Sequence, residues 1–495
     1  MTARQRAAVA AGLVALLACT TAAWRNTAAP APWVVQENAR SGATRWAIAA
    51  AAGTGAKTVG FLDHASVLPG QQVQLFVSSP RPFAVRAFRI GWYGGARARL
   101  VWSSPAHAAD RQAVARVDPT THMVDAPWHP TMPISTAGWL PGDYLFRLDG
   151  ARSGSSYVPL TVRAASTAGT VVLVNATTTW QAYNKWGCCD LYNGSDGAFA
   201  TRSRVVSFDR PYDNSFGAGQ FIARELPVVA EAERLGLPLS YVTDTDIDAD
   251  PHLLAGARAV ITMGHDEYWS AAMRSAVTVA RDSGTNIAFL GANAVYRRIR
   301  LRASSLGPER EIVDYKVARE DPLSAGQPRS TTADWASAPA ADPESSLTGG
   351  MYKCIVPLPR ADGVVASTPS WLFAGASVNV GTRLPGLIGP ETDAVTLSDP
   401  TPRPLQILLH SPQRCASGAA STADTTYYTV PSGAGVFDAG TIDWTCDVGG
   451  GCKASGITAT VVRQLTDNLL RAFAAGPAGR AHPAVDNVAA VQSHR

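Results

Sequence analysis

The chain has 495 residues, 46% of them hydrophobic and 17% charged, which supplies core for two or three domains and excludes a fibrous or disordered chain. The formal net charge of +4 is small for this length, and no basic run is interleaved with aromatics, which argues against nucleic acid as a partner.

Met1 to Arg6 holds two arginines, Ala7 to Ala18 is apolar and small residues follow, so residues 1–27 read as a secretory signal. Leu16-Leu17-Ala18-Cys19 also has the layout of a bacterial lipobox. Ordinary cleavage near Ala22-Ala23 is the plainer alternative. An uncleaved anchor is the third, although the apolar run is shorter than the ~20 residues that span a bilayer. All three predict an exported body, secreted, periplasmic or lipid-anchored at the cell surface, with membrane contact through the N-terminus alone.

Residues 28–57 are linker-like, rich in Ala, Gly and Pro. From 58 to 163 the pattern is β. Val73–Val77, Phe83–Ile90, Tyr144–Leu148 and Val158–Val162 alternate apolar and polar positions, with turns at Pro69-Gly70, Gly94-Gly95 and Pro141-Gly142, which predicts a β-sandwich. Ala164–Gly169 links it to a domain over 170–474. There, apolar strands at Thr170–Val174, Leu239–Val242, Ala259–Met263 and Asn286–Leu290 alternate with helical patterns at Phe221–Leu235 and Ser270 to about Arg281. Gly236 and Gly284 close those helices. Strand, loop, helix, strand predicts parallel pairing with right-handed crossovers, hence a doubly wound α/β sheet. Residues 331–345 read as a surface excursion, Val461–Phe473 as a closing helix and 475–495 as a flexible tail.

In open α/β sheets ligands bind at the carboxyl ends of parallel strands. Tyr183, Asp244, His265, Glu267 and Asn293 follow such ends and are expected to converge. Alone, His265-x-Glu267 is a weak signal: His265 could bond a neighbouring strand, and Glu267 could simply favour a helix N-terminus.

Seven cysteines less Cys19 leave six, an even number that predicts disulfides in an exported chain and leaves the pairing open. Cys446 and Cys452 are near enough to close a small loop. Cys188 and Cys189 are adjacent, so a mutual bond would be strained, and each is expected to pair elsewhere or stay free. No Cys/His spacing matches a structural zinc site.

Thr179–Gly187, Val206–Tyr212, Gly264–Ser270 and Gly291–Ala294, four ordered blocks, resemble the N,N-dimethylformamidase large (beta) subunit-like C-terminal domain family. Phe88–Gly95 resembles the β-domain that often precedes it. The resemblance implies a glutamine-amidotransferase-like, doubly wound fold. It also implies a mononuclear iron, expected as ferric, held by two tyrosine phenolates and a glutamate, and these fall on Tyr183, Tyr212 and Glu267, with Tyr192 competing for either tyrosine place. His265, Asn293 and Glu391 fall on catalytic or supporting positions. Both a homo-oligomer and a small partner protein are compatible with it. Departures are Cys188-Cys189, where relatives have small residues, and Pro390, where an aromatic is frequent.

Hard anionic oxygen donors suit ferric iron, which can polarise an amide carbonyl and activate water. His265 or Glu391 would move the proton to the leaving amine, and Asn293 would steady the oxyanion. The expected function is an exported iron-dependent amidohydrolase acting on a small or surface-derived amide. The competing reading is a cell-surface glycan-binding module using Trp92, Tyr93 and Trp102. A serine hydrolase is disfavoured by the lack of a Gly-x-Ser-x-Gly elbow.

Overall fold

A computed structural model describes residues 32–49, 57–151, 154–398, 400–450 and 456–493. The expected signal, the lipobox with Cys19 and its cleavage alternatives lie outside the described residues, as does Cys452. Pro32–Arg495 form one compact unit.

The N-terminal part holds two antiparallel-rich sheets. One joins Val59–Leu62, Gln72–Ser78 and Met132–Ser135; the other runs Ser66–Val67, Ser156–Val162, Gly142–Gly150, Phe83–Ile90, Ala98–Ser103. Period-two alternation turns Val73, Leu75 and Val77 toward Val85, Phe146, Leu148 and Leu160, all at most 2% exposed. Each such side chain contributes about 1.5–3 kcal/mol by burial.

The central sheet has seven strands: β1 Val171–Asn175, β2 Leu239–Thr243, β3 Ala259–Gly264, β4 Asn286–Gly291, β5 Leu405–Arg414, β6 Ala420–Thr429 and β7 Gly435–Asp438, in the order β2-β1-β3-β4-β7-β6-β5. The first five in that order pair in parallel, with Val171 opposite both Leu239 and Ala259, Ala259 opposite Asn286, and Ile287 opposite Val436. The β7–β6 and β6–β5 pairs are antiparallel. Near-continuous apolar runs in β1, β3 and β4 follow from burial on both faces. Val171, Leu173, Ile261 and Leu290 belong to one apolar cluster; Val172, Val174, Val260 and Phe289 belong to another.

The expected doubly wound, glutamine-amidotransferase-like domain is not what the chain builds. Strand residues exceed helical ones, 32% against 23%, and the described strands are spread over seven sheets. The physical reason lies beyond residue 296. There the chain returns on itself in antiparallel hairpins, Arg297–Ser304 with Gly307–Val313 and β5 with β6, instead of crossing over through helices.

Other segments also differ from expectation. In the linker-like stretch, Trp33–Asn38 is a helix that buries Val34 and Glu37. In the tail, Val488 is fully buried and Asn487 donates to the Ile407 carbonyl of β5. Trp335, in the excursion, is 5% exposed and lies under Arg274 and Arg298. The helix predicted from Phe221 is a π-turn, Phe221–Glu225, running into Leu226–Arg234, since Pro227 offers no N–H to continue one ladder. Cys188 and Cys189 are bonded to each other, contrary to expectation, and Cys354 pairs with Cys415.

Candidate active site

β3 ends at Gly264, whose φ of 74° suits glycine. β4 ends at Gly291, where a Cβ would stand 1.6 Å from the Gly264 carbonyl oxygen. The two strand ends therefore approach more closely than any side chain allows, and His265, Asp266 and Glu267 leave from that point. Tyr268–Ser270 then forms a short strand, and the Ser270 hydroxyl accepts from Met273 N at 3.1 Å to start the helix Ala271–Asp282.

Glu267 is fixed through its backbone. Its N–H donates to Thr179 Oγ1 at 3.0 Å, and its carbonyl accepts from Arg297 N at 2.8 Å. Its carboxylate, 1% exposed, accepts from Tyr183 Oη at 2.6 Å on Oε2 and from Tyr192 Oη at 3.0 Å on Oε1. The two phenol oxygens are 3.0 Å apart, their rings stacked at 4.9 Å. Tyr268 Oη donates to Tyr192 Oη at 2.7 Å, and Lys316 Nζ donates to Tyr268 Oη at 2.6 Å while lying 3.8 Å from the Tyr192 ring centroid. His265 Nε2 lies 3.3 Å from Glu267 and 3.3 Å from Glu391 Oε2, centred between the two carboxylates without a well-formed hydrogen bond to either. Asn293, at φ 57°, donates through Nδ2 to Glu391 Oε2 at 2.8 Å, and its backbone N donates to Asp393 at 2.9 Å.

The electrostatics follow from burial and partners. Burial opposes the Glu267 charge, but the adjacent His265, with Lys316 and Arg297 behind it, holds its carboxyl down at about 2. Burial also disfavours the imidazolium of His265, and Glu391 with Glu267 outweighs it, raising the ring to about 10. Burial and Glu267 push both phenols well above the usual tyrosine range. Burial lowers Lys316 to about 8 against the pull of Asp314.

The loop carrying both phenols is gripped by one fully buried guanidinium. Arg210 donates to the carbonyls of Asn184 at 2.9 Å, Cys189 at 3.0 Å and Trp186 at 3.2 Å. Asp190 accepts from the N–H groups of Tyr192 and Asn193.

Tyr183, Glu267, His265, Asn293 and Glu391 are thus brought together; Tyr212 is not among the partners of Glu267. Its ring packs edge-on to Trp180 at 6.3 Å, and Tyr192 stands beside Tyr183 instead. Asp244 accepts from Thr177 and Thr178 and buttresses the helix that leads to Tyr183. Asn293 Nδ2, expected to steady an oxyanion, is engaged with Glu391. Tyr93 is 4% exposed with its hydroxyl on Glu37, so it is not presented to a glycan.

The donor set fits a hard metal ion. Oxygens each about 2.0–2.2 Å from a first-row cation lie roughly 3 Å apart, close to the 2.6–3.0 Å found among Tyr183, Tyr192 and Glu267. Among the described residues no group of three or more His, Cys, Asp or Glu side chains is disposed to hold a metal, so such a centre needs the phenols. Tyr268, Arg297, Lys316 and Asp393 escaped the sequence reading. Tyr268 adjoins Glu267 and could have been weighed; Arg297 and Lys316 reach the site through hairpin topology that no local pattern signals.

The family described as N,N-dimethylformamidase beta subunit-like, C-terminal, matches residues 84–454, including strand Phe83–Ile90 of the β region almost whole. No curated protein matches. Among solved structures, the cycloisomaltooligosaccharide glucanotransferase of Paenibacillus sp., complexed with cycloisomaltoheptaose, is similar at 8% identity and a TM-score of 0.16, over 54% of this chain and 36% of that one. The match takes in about a third of that enzyme's length and carries no argument about this fold. No helix among the described residues is long and apolar enough to cross a membrane. Three quarters of the sequence falls within the family match, and the chain belongs to the N,N-dimethylformamidase beta subunit-like C-terminal family.

Proposed function

We propose that the chain is an amide hydrolase in which Tyr183, Tyr192 and Glu267 hold a single iron, and that it cleaves the C–N bond of a small or surface-derived amide. What carries this reading is the meeting of two phenol oxygens and one carboxylate within 3.0 Å of one another in a chain of dimethylformamidase-like family. A ferric ion held there would supply Lewis acidity toward the amide carbonyl and toward water.

The residues around it do the remaining work. Lys316, Arg297 and His265 keep Glu267 ionised as a ligand at neutral pH. His265, set between the Glu267 and Glu391 carboxylates, would carry the proton to the nitrogen as the C–N bond breaks and its electron pair moves onto nitrogen. Glu391, oriented by Asn293, receives the proton given up by water. Asp393 holds Asn293 in its left-handed conformation. Export is part of the proposal and is supported by the charged, apolar and small-residue succession from Met1 to Ala23.

The test is metal analysis with visible absorption on protein purified without chelators, for the wild type and for Glu267→Ala, Tyr183→Phe and Tyr192→Phe. Near-stoichiometric iron with a phenolate-to-iron charge-transfer band, weakened in every variant, is the expected result. Folded protein that takes up no iron and shows no band after reconstitution would refute the reading.

A further inference from the structure

The β region and the central sheet enclose a cavity of about 30 Å³. One water needs roughly 10–15 Å³, so two or three heavy atoms fit. Its wall is aromatic, with Phe61, Tyr144, Trp180, Phe208, Tyr212 and Phe221. Asp143 and Asn175 also line it, at 3% and 1% exposure. Asp143 Oδ1 accepts from Asn175 Nδ2 at 2.5 Å and Thr161 Oγ1 at 3.2 Å, yet its Oδ2 has no partner. Asn175 Oδ1 has none either. Two buried acceptors on one cavity call for a donor.

We propose that this cavity binds a small primary ammonium ion, held by the Asp143 carboxylate and the Asn175 carbonyl within the aromatic wall. A neutral donor leaves the ionised form of Asp143 uncompensated, whereas a cation stabilises that form and also gains from the ring faces. The guanidinium groups nearby are committed elsewhere: Arg310, on the cavity wall, to Asp209 at 2.8 Å and the Leu62 carbonyl, and Arg89 to Glu233. Burial holds the nearby Glu225 carboxyl well above its usual range, and its Oε2 is likewise without a partner. Burial lifts the Asp143 carboxyl to about 7, and an adjacent ammonium reverses that shift.

Trp180, Tyr212 and Phe221 also wall a second cavity of about 20 Å³ that touches Tyr183, the residue whose hydroxyl meets Glu267. The same three rings thus line both cavities. Amide hydrolysis releases an amine that takes a proton from water at neutral pH and becomes an ammonium ion. That this amine is the natural occupant rests on the function proposed above; the binding does not.

The probe is methylammonium chloride on the full chain, followed by the NMR signal of its labelled methyl group and by saturation transfer from aromatic protons. Sodium chloride at equal ionic strength is the baseline, and methanol is the uncharged counterpart. Saturable binding is expected at a Kd of about 10 mM, near the ceiling for two heavy atoms. Asp143→Asn should weaken it at least tenfold, Phe221→Leu several-fold, and methanol should not saturate. No saturable binding, equal binding of methanol, or indifference to the variants would overturn the site. Should Asp143→Asn fail to fold, Phe221→Leu and the ring-proton transfer decide. Methylammonium binding without amidase activity would sink the hydrolase alone, and amide cleavage without methylammonium binding would sink this site alone.

Discussion

Two carboxylates are buried in this molecule under opposite arrangements. Glu233, at the seam between the β region and the central sheet, receives Arg89, Tyr241, Asn38 and the Trp92 N–H, so that both of its oxygens are saturated by fixed donors. Glu267 receives two phenols, but around it His265 Nε2, Asn293 Oδ1 and Arg297 Nε are buried without hydrogen-bond partners. A saturated buried ion pair fixes structure. A buried polar cluster that leaves valences unmet is held in that state by the fold around it and is available to a ligand.

The largest effect that would sharpen this contrast is on stability. Glu233→Ala leaves the fully buried Arg89 uncompensated and should cost roughly 3–5 kcal/mol in urea unfolding, whereas Glu267→Gln, which keeps shape and hydrogen-bonding capacity, should cost clearly less. Comparable losses would erase the distinction between the two regions. Next comes metal affinity. Tyr183→Phe and Tyr192→Phe should each lower iron content at least tenfold, and Tyr212→Phe should leave it unchanged; the reverse pattern would move the site toward Tyr212.

A pH effect of intermediate size belongs to the seam. Burial raises Asp143 to about 7 from roughly 3.9 in an unfolded chain. The native state therefore binds that proton more tightly. Stability from this group is complete below about pH 4 and is lost as pH rises through about 7. Asp143→Asn should flatten that part of the stability profile by up to a few kcal/mol, and an unchanged slope would show that another group titrates there. The smallest effect is chemical: peptide mapping without reductant should recover Cys188 and Cys189 in one internally bonded peptide, and alkylation of either without reductant would contradict the bond.

Legibility tracked how local each cause was. The strands β1 to β4, the glycines closing helices at Gly236 and Gly284 and the placement of His265 and Glu267 beyond β3 all rest on short-range pattern, and the sequence carries it. The fold class departs from the local pattern because β5, β6 and β7 pair antiparallel with one another, as does the hairpin Arg297–Val313, and that pairing is decided by partners far along the chain. The placement of Tyr192, and not Tyr212, beside Glu267 has the same origin. Both tyrosines lie in loops, and the grip of Arg210 on the loop Asn184–Cys189, Asp190 on the turn after it and Tyr268 at the hydroxyl together bring Tyr192 beside Tyr183. Lys316 enters from beyond a hairpin with no motif of its own.

That grip has a consequence for ion choice. Two of the three candidate donor side chains ride on the segment Tyr183–Tyr192, while the third stands in the turn between β3 and the strand Tyr268–Ser270. The spacing of the two phenol oxygens thus depends in part on a side chain that touches neither of them. Shortening Arg210 to lysine would replace a planar fork spanning three carbonyls by a single point of attachment. For the iron proposed above, a wider bite would favour larger cations, and a position that carries no ligand would then tune the site.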